Sequence, residues 1–331
     1  MRALSLRAIK SDALLEEVEQ PVAGVDEVVV KLQAASLNRR DYWITQGLYP
    51  GIVTPLILGS DGSGSVHAVG ENVSDWAPGD EVVIYPSAQW GENEAVQDSE
   101  FTVLGMPENG TFAEFVKVRS SQLFRKPAYL DWVETAAIPV AGLTAYRALV
   151  VQGQLKPGRR VLITGIGGGV AVFALQFTLA TGSEAIVTSS STEKIERALN
   201  LGAKAGLQYT EANWGKRLLK EHGPCDLIID GAGGPGYGDL VNLLKPGGRL
   251  ISYGSTAGRS EKLDLFKIFW RQLHLIGSTL GSPADFEALL GFMEKHQIKP
   301  VIDQQVPLAE GPKAIADMRD AAQFGKVTLE I

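Results

Sequence analysis

The sequence is poor in the side chains that hold transition metals: one cysteine, Cys225, and four scattered histidines, His67, His222, His274 and His296. A lone cysteine excludes an internal disulfide, and no tetrahedral nitrogen and sulfur site can be assembled from this set. Basic runs are missing too. With a net charge of −7 and a pI near 5.3, the chain repels a phosphate backbone, which excludes nucleic acid and acidic membrane as partners. The opening MRALSLRAIKSDALL lacks the apolar core of a signal peptide; with the single cysteine, this predicts a cytoplasmic protein. One uncharged stretch, residues 161–183, is long enough to raise a membrane question. Its glycine cluster, Thr164, Gln176 and Thr178 make it a buried strand, turn and helix instead. No repeat or low-complexity tract interrupts the chain.

What is present is length for two domains with separate cores, at 45% hydrophobic residues. The first third carries short Val-rich or alternating segments, DEVVVKLQAAS, GSGSVHAVG, DEVVIYP and GTFAEFVKVRS, parted by Pro, Gly and Asp turns. That pattern predicts an antiparallel or barrel-like module. Between Ser87 and Gly110 it stops, leaving an acidic loop, WGENEAVQDSE, read as a lid, a surface excursion or the remnant of a lost subsite. After Asp131 strands and helices alternate. RRVLIT, EAIVTSS, CDLIID and GRLISYG have the character of buried parallel strands, with AVFALQFTLATG, TEKIERALNLGA, NWGKRLLKEHG and YGDLVNLLKPGG as the helices between them. The fold class is therefore α/β: a doubly wound parallel sheet, with its ligand beyond the carboxyl ends of the strands, plus the β-rich module. HLIGSTLGS adds a strand, PADFEALLGFMEKHQ a helix, and VIDQQVPL with GKVTLEI restore strand character at the C-terminus.

VLITGIGGGVAVFALQ places Gly165, Gly167, Gly168 and Gly169 between a buried strand and the apolar helix that Val170 begins. Glycine there lets backbone N–H groups approach a pyrophosphate at the positive end of a helix. The bland alternative is a turn that only packs tightly. About twenty residues on, where an NAD enzyme carries Asp or Glu for the ribose hydroxyls, this chain has Thr188, Ser189, Ser190, Ser191 and Thr192, then Lys194 and Arg197. Hydroxyls and a cation suit a 2′-phosphate, so the expected cofactor is NADPH (NADP). The same TSSSTEK also makes a helix cap.

The order LNRRDYWITQGLYP, LGSDGSGSVHAVGENV, NGTFAEFVKV, IPVAGLTAYRAL and LITGIGGGVA resembles, over the whole chain, the medium-chain dehydrogenase/reductase superfamily, and within it the zinc-free quinone oxidoreductase-like branch. The resemblance implies a GroES-like catalytic domain over 1–127, completed by 285–331, and a Rossmann dinucleotide-binding domain over 128–284. It implies further cofactor contacts at Tyr209, Gly254, Ser255 and Lys326, and a homodimer paired through HLIGSTLGS. In zinc-dependent members the loop resembling LGSDGSG carries His then Glu, with a Cys earlier and a third Cys or His near IPVAG. The matching positions here are Asn38, Ser60 with Asp61, and Val140, and the four-cysteine structural lobe corresponds to the Cys-free loop 87–110. No metal is expected, and the GSDG loop becomes a wall of the substrate cleft.

Without a Lewis acid, hydrogen-bond donors must stabilise the charge that hydride transfer creates. The candidates are Asn38, Tyr42, Tyr49 and Thr144; Asn38 also reads as a turn cap, and Tyr42 and Trp43 as packing residues. Quinone reductases often read Asn-Pro-x-Asp/Glu, with a Tyr two positions after the acid. This chain reads Asn38-Arg39-Arg40-Asp41-Tyr42-Trp43, placing Trp43 at that aromatic site and two arginines beside an apolar acceptor. The expected activity is reduction of small-molecule quinones, enones or related activated carbonyls. The alternatives are an alcohol or aldehyde dehydrogenase, and an NADPH-binding sensor or structural module.

Overall fold

The computed structural model describes residues 1–260 and 262–331. The chain divides into two compact units, Met1–Ala141 with Ser282–Ile331, and Gly142–Gly281. The family resemblance puts these borders at 127/128 and 284/285. Residues 128–141 side with the first unit because their polar groups bond into it. The Tyr129 hydroxyl donates to Ile298 O at 2.9 Å, Ser63 Oγ donates to Trp132 O at 2.7 Å, and the Val140 N–H donates to Asp61 Oδ1 at 2.8 Å.

In the first unit the β-rich pattern becomes a seven-stranded sheet. Its path runs Leu123–Arg125, Glu81–Ile84, Asp61–Val69, Glu27–Ser36, Lys326–Glu330 and Ile302–Pro307, with Phe115–Arg119 also paired to Glu27–Ser36. Val28, Val30, Leu32, Val66, Val82, Ile84, Val116 and Val118 bury one core. A second core gathers Leu4, Leu6, Leu37, Ile44, Leu58 and Phe112 with Leu308, Ile315 and Leu329 from the C-terminal segment. The last strand pairs antiparallel with Glu27–Ser36, Thr328 opposite Ser36, and this register carries Lys326 alongside Leu37 and Asn38. The loop 87–110 is more ordered than its composition suggests. Ser87–Ala88 and Thr102–Val103 pair, and buried Trp90 meets Phe101 edge to face, with centroids 5.5 Å apart.

The second unit is the expected doubly wound sheet. Its six strands lie in the order Ala205–Gln208, Glu184–Ser189, Arg160–Ile163, Cys225–Asp230, Leu244–Ser252 and His274–Gly277, and every neighbouring pair is parallel. The uncharged stretch 161–183 falls on the strand Arg160–Ile163 and the helix Gly169–Ala180. That helix is apolar all round because protein covers it: Val172, Phe173, Leu175 and Phe177 are each at most 2% exposed. No described helix is long and apolar enough to cross a membrane. Cys225 is fully buried, and burial raises its thiol to about 12, so it is a core residue.

Candidate active site

The loop that opens at Leu58 reaches its chemistry at Ser60 and Asp61, both fully buried. Asp61 begins the strand Asp61–Val69, opposite Ser36 in the pairing with Glu27–Ser36. Its carboxylate accepts four hydrogen bonds. Oδ2 takes Ser36 Oγ at 2.9 Å, Asn38 Nδ2 at 2.8 Å and Lys326 Nζ at 3.0 Å, while Oδ1 takes the Val140 N–H. Lys326 Nζ also donates to Asn38 Oδ1 and Leu37 O, both at 2.8 Å. The three positions that the family resemblance matches to zinc ligands therefore do converge, but around a carboxylate and an ammonium.

Beside this pair lies the short helix Arg39–Thr45. Asp41 Oδ2 accepts the Asn38 N–H at 2.7 Å and so caps the helix, while buried Oδ1 has no partner. Burial lifts the Asp41 carboxyl to about 6, against the pull of the neighbouring Arg40 charge. Arg40 Nη1 donates to Ser60 Oγ and to Leu104 O at 2.6 Å, and its guanidinium lies 5.7 Å from the Tyr49 ring centroid. Trp43 and Tyr49 are neighbours, with ring centroids 6.4 Å apart. Tyr42 and Tyr49 are half-buried against the core, and their hydroxyls have no hydrogen-bond partner among the described residues.

In the second unit, the strands Arg160–Ile163 and Cys225–Asp230 are neighbours although three crossovers apart, the switch point where such sheets bind ligands. Thr164 Oγ1 donates to Asp230 Oδ1 at 2.6 Å, and Oδ2 accepts the Gly233 N–H at 2.8 Å, fixing both strand ends. The glycine turn follows. Gly165 is exposed at φ +65, and a Cβ there meets nothing within 4 Å; Gly167 has φ +118, and a Cβ there would meet Lys194 Cδ at 2.6 Å and Nζ at 3.2 Å. Gly168 caps the helix Gly169–Ala180, with Val170 in its first turn. The turn thus leaves open backbone at a helix N-terminus, with an ammonium at its side, and fits a dinucleotide pyrophosphate.

At the end of the next strand, Ser189 Oγ accepts the Ser191 N–H at 3.1 Å and Ser191 Oγ accepts the Lys194 N–H at 3.3 Å, while Ser190 is exposed. The cap reading and the phosphate reading of TSSSTEK coexist. Tyr209, 49% exposed, donates its N–H to Ser189 O at 3.2 Å. Gly254 and Ser255 follow the strand Leu244–Ser252 and lie against the loop at Gly231 and Gly233.

The structure thus places Asn38 at the start of the helix that carries Tyr42, with Tyr49 against Arg40 and Trp43, all in the first unit, and gathers the glycines, the three serines, Lys194, Tyr209, Gly254 and Ser255 at one end of the second unit's sheet. It places Thr144 in the second unit, in the helix Pro139–Tyr146, and Lys326 in the first, its ammonium bonded to Leu37, Asn38 and Asp61. Sequence reasoning missed Asp230, although an apolar strand ending on an acid, CDLIID, was the available signal. It also missed the partnership of Asp61 and Lys326, for which linear order carries no signal.

A doubly wound sheet with an open glycine turn, in one chain with a β-rich unit built on a buried polar cluster, defines the class of two-domain dehydrogenases and reductases. Residues 24–128 match the alcohol dehydrogenase GroES-like domain, and residues 169–295 match the zinc-binding dehydrogenase domain. The chain is 37% identical to the zinc-type alcohol dehydrogenase-like protein YogA of Leptosphaeria maculans, over 96% of this chain and 94% of that one. It is 30% identical to an acryloyl-coenzyme A reductase of Sulfurisphaera tokodaii over the full length of both. Among solved structures, it matches an NAD-dependent alcohol dehydrogenase at 34% identity and TM-score 0.93, covering all of both chains. A 2-octenoyl-CoA carboxylase reductase, CinF, in complex with NADP and 2-octenoyl-CoA matches at 28% identity and TM-score 0.89, over 99% of this chain and 87% of that one. The chain belongs to the medium-chain dehydrogenase/reductase superfamily, a family of oxidoreductases.

Within it, the quinone oxidoreductase-like branch expected from the sequence is more distant than the zinc-type relatives: the quinone oxidoreductase of Pseudomonas aeruginosa is 29% identical over 92% of this chain and 91% of that one. The zinc implied by the matched domain's name does not fit the residues present. Asp61 already serves four donors, one of them the Lys326 ammonium, and among the described residues no three His, Cys, Asp or Glu side chains group to hold a metal.

Proposed function

We propose that this protein is an NADPH-dependent reductase of small conjugated acceptors, enones, enoyl thioesters or quinones, that works without zinc. The observation that carries the reading is the buried Asp61–Lys326 pair, in which Asp61 stands at a position matched to a zinc ligand and is already neutralised by the ammonium. With no Lewis acid to polarise a simple ketone, the favoured acceptors are those whose anion is delocalised. A bound reduced nicotinamide supplies the hydride. The turn Gly165–Gly169 holds its pyrophosphate, and Ser189, Ser190, Ser191 and Lys194 hold the 2′-phosphate. Tyr209, Gly254 and Ser255 border the same strand ends. Tyr42 and Tyr49, whose hydroxyls are uncommitted, donate to the acceptor with Asn38. The acyl-CoA reductases among the relatives, and the NADP bound to one solved neighbour, support the acceptor and the cofactor.

The protein works as a cytoplasmic homodimer paired through the edge strand His274–Gly277. Exposed Leu265, Phe266, Phe269 and Trp270 on the preceding helix support an apolar contact there. An alcohol dehydrogenase is the second reading, favoured by the names of the relative and structure matched at 37% and 34% identity. One assay separates the two: oxidation of NADPH with a panel of enones, enoyl thioesters and quinones, and reduction of NAD or NADP with primary and secondary alcohols, each with and without a strong chelator. Turnover of conjugated acceptors that ignores the chelator is expected. Chelator-sensitive alcohol oxidation would sink the proposal, and NADPH binding with no turnover would leave a binding module.

A further inference from the structure

Lys326 directs three hydrogen bonds into the buried cluster, whereas Arg40 does not use its donors there. Arg40 is only 8% exposed, and its Nη1 is tied to Ser60 Oγ and Leu104 O. Among the described residues, no acceptor stands on its Nη2 or Nε, yet neither nitrogen is sealed from solvent. No carboxylate oxygen forms an ion pair with it either, although Asp41 is near enough to feel its charge. A guanidinium so nearly buried, with no ion-pair partner, is costly to the fold. What remains open is its Nε and Nη2 edge, the planar fork that suits an oxygen anion. Nη1 anchors the group at Ser60, a position matched to a zinc ligand, and the Tyr49 ring flanks it at 5.7 Å.

We infer that Arg40 is a catalytic residue: its open edge binds the carbonyl oxygen of the conjugated acceptor and stabilises the oxyanion that forms there. This rests on the reductase reading above. When a hydride adds to the β-carbon of C=C–C=O, the π electrons shift and the carbonyl oxygen becomes an enolate oxyanion. Arg40 holds that oxygen by charge-assisted hydrogen bonds. The α-carbon then takes a proton from water, the carbonyl re-forms, and the reduced nicotinamide has become its oxidised form. The substrate class follows: an acceptor with a carbonyl conjugated to the carbon–carbon double bond that is reduced, as in enones and enoyl thioesters, and not an isolated alkene.

The test uses the full-length protein and the variants Arg40→Lys and Arg40→Met. The first readout needs no turnover: 4-nitrophenol, whose ionised form is coloured and mimics an enolate, is bound in the presence of NADP and titrated with acid. Bound to the wild type it should ionise at a lower pH than when free; the shift should shrink in Arg40→Lys and vanish in Arg40→Met. The second is turnover. Arg40→Met should lose on the order of a hundredfold in kcat, as for removal of an oxyanion donor, with NADPH affinity unchanged and partial rescue in Arg40→Lys. An unshifted titration in the wild type, or no bound nitrophenolate at all, overturns the assignment. So does a variant that raises KM with kcat changed by less than about threefold, the signature of uniform binding. Arg40→Lys keeps a cation beside Ser60, so the titration remains decisive if Arg40→Met fails to fold. Failure of the reductase reading is separately visible: the wild type would shift nitrophenol yet turn over none of the acceptors.

Discussion

Lys326 Nζ lies 3.0 Å from Asp61 Oδ2, and the two side chains, 265 positions apart in the chain, are 3% and 0% exposed. Such a pair is stable only because other groups complete it: Ser36, Asn38 and Val140 serve the carboxylate, and Leu37 and Asn38 serve the ammonium. Desolvating two charges is expensive, and removing one partner leaves the other buried and alone. Lys326→Met should therefore destabilise the protein by about 3–5 kcal/mol, read as a lower urea midpoint. A loss below about 1 kcal/mol, the scale of an exposed ion pair, would contradict this account.

Asp41 should make stability fall as pH rises. Its carboxyl sits at about 6 in the fold, against the ordinary 3.8 of a free aspartate side chain, because burial disfavours the charge. The folded state therefore holds a proton that the unfolded state has released, and stability is lost as pH climbs from about 4 through about 6. Asp41→Asn keeps an acceptor for the Asn38 N–H and removes the titration. Relative to that variant, the wild type should lose about 2 kcal/mol between about pH 4.5 and about pH 7. Urea unfolding of both proteins at the two pH values checks it, and a constant difference would refute it.

Lys194→Ala should separate the two nicotinamide cofactors. A charge-assisted hydrogen bond to a 2′-phosphate contributes about 1.5–3 kcal/mol, so NADPH should bind at least about tenfold more weakly while NADH changes little. Fluorescence titration of each cofactor measures this. Equal weakening of both would assign Lys194 to the pyrophosphate, beside Gly167.

Gly167→Ala probes the turn itself. At φ +118 any side chain is strained, and a Cβ would press on Lys194 Cδ at 2.6 Å. The strain should cost about 1–3 kcal/mol, seen as a lower Tm, and both nicotinamide cofactors should bind more weakly. Undiminished binding of both would mean that the turn only packs.

The doubly wound unit was legible because its signals are local. Apolar runs such as VLIT and CDLIID, the glycines at 165–169 and the cap at TSSSTEK each act within a few residues, and the parallel sheet follows from the alternation of strand and helix. The chain order of motifs also carried the superfamily. The border at 141/142 was not legible, since it depends on bonds such as Val140 to Asp61 that span 79 positions. Nor was the place of Lys326. GKVTLEI reads as an ordinary strand next to the C-terminus, and only its pairing with Glu27–Ser36 brings the ammonium to Asp61. Composition and local periodicity decide which elements form and which ligands lack donors. Which charges meet, as Lys326 meets Asp61, is decided by register between distant strands, because burial turns those few contacts into the strongest interactions in the site.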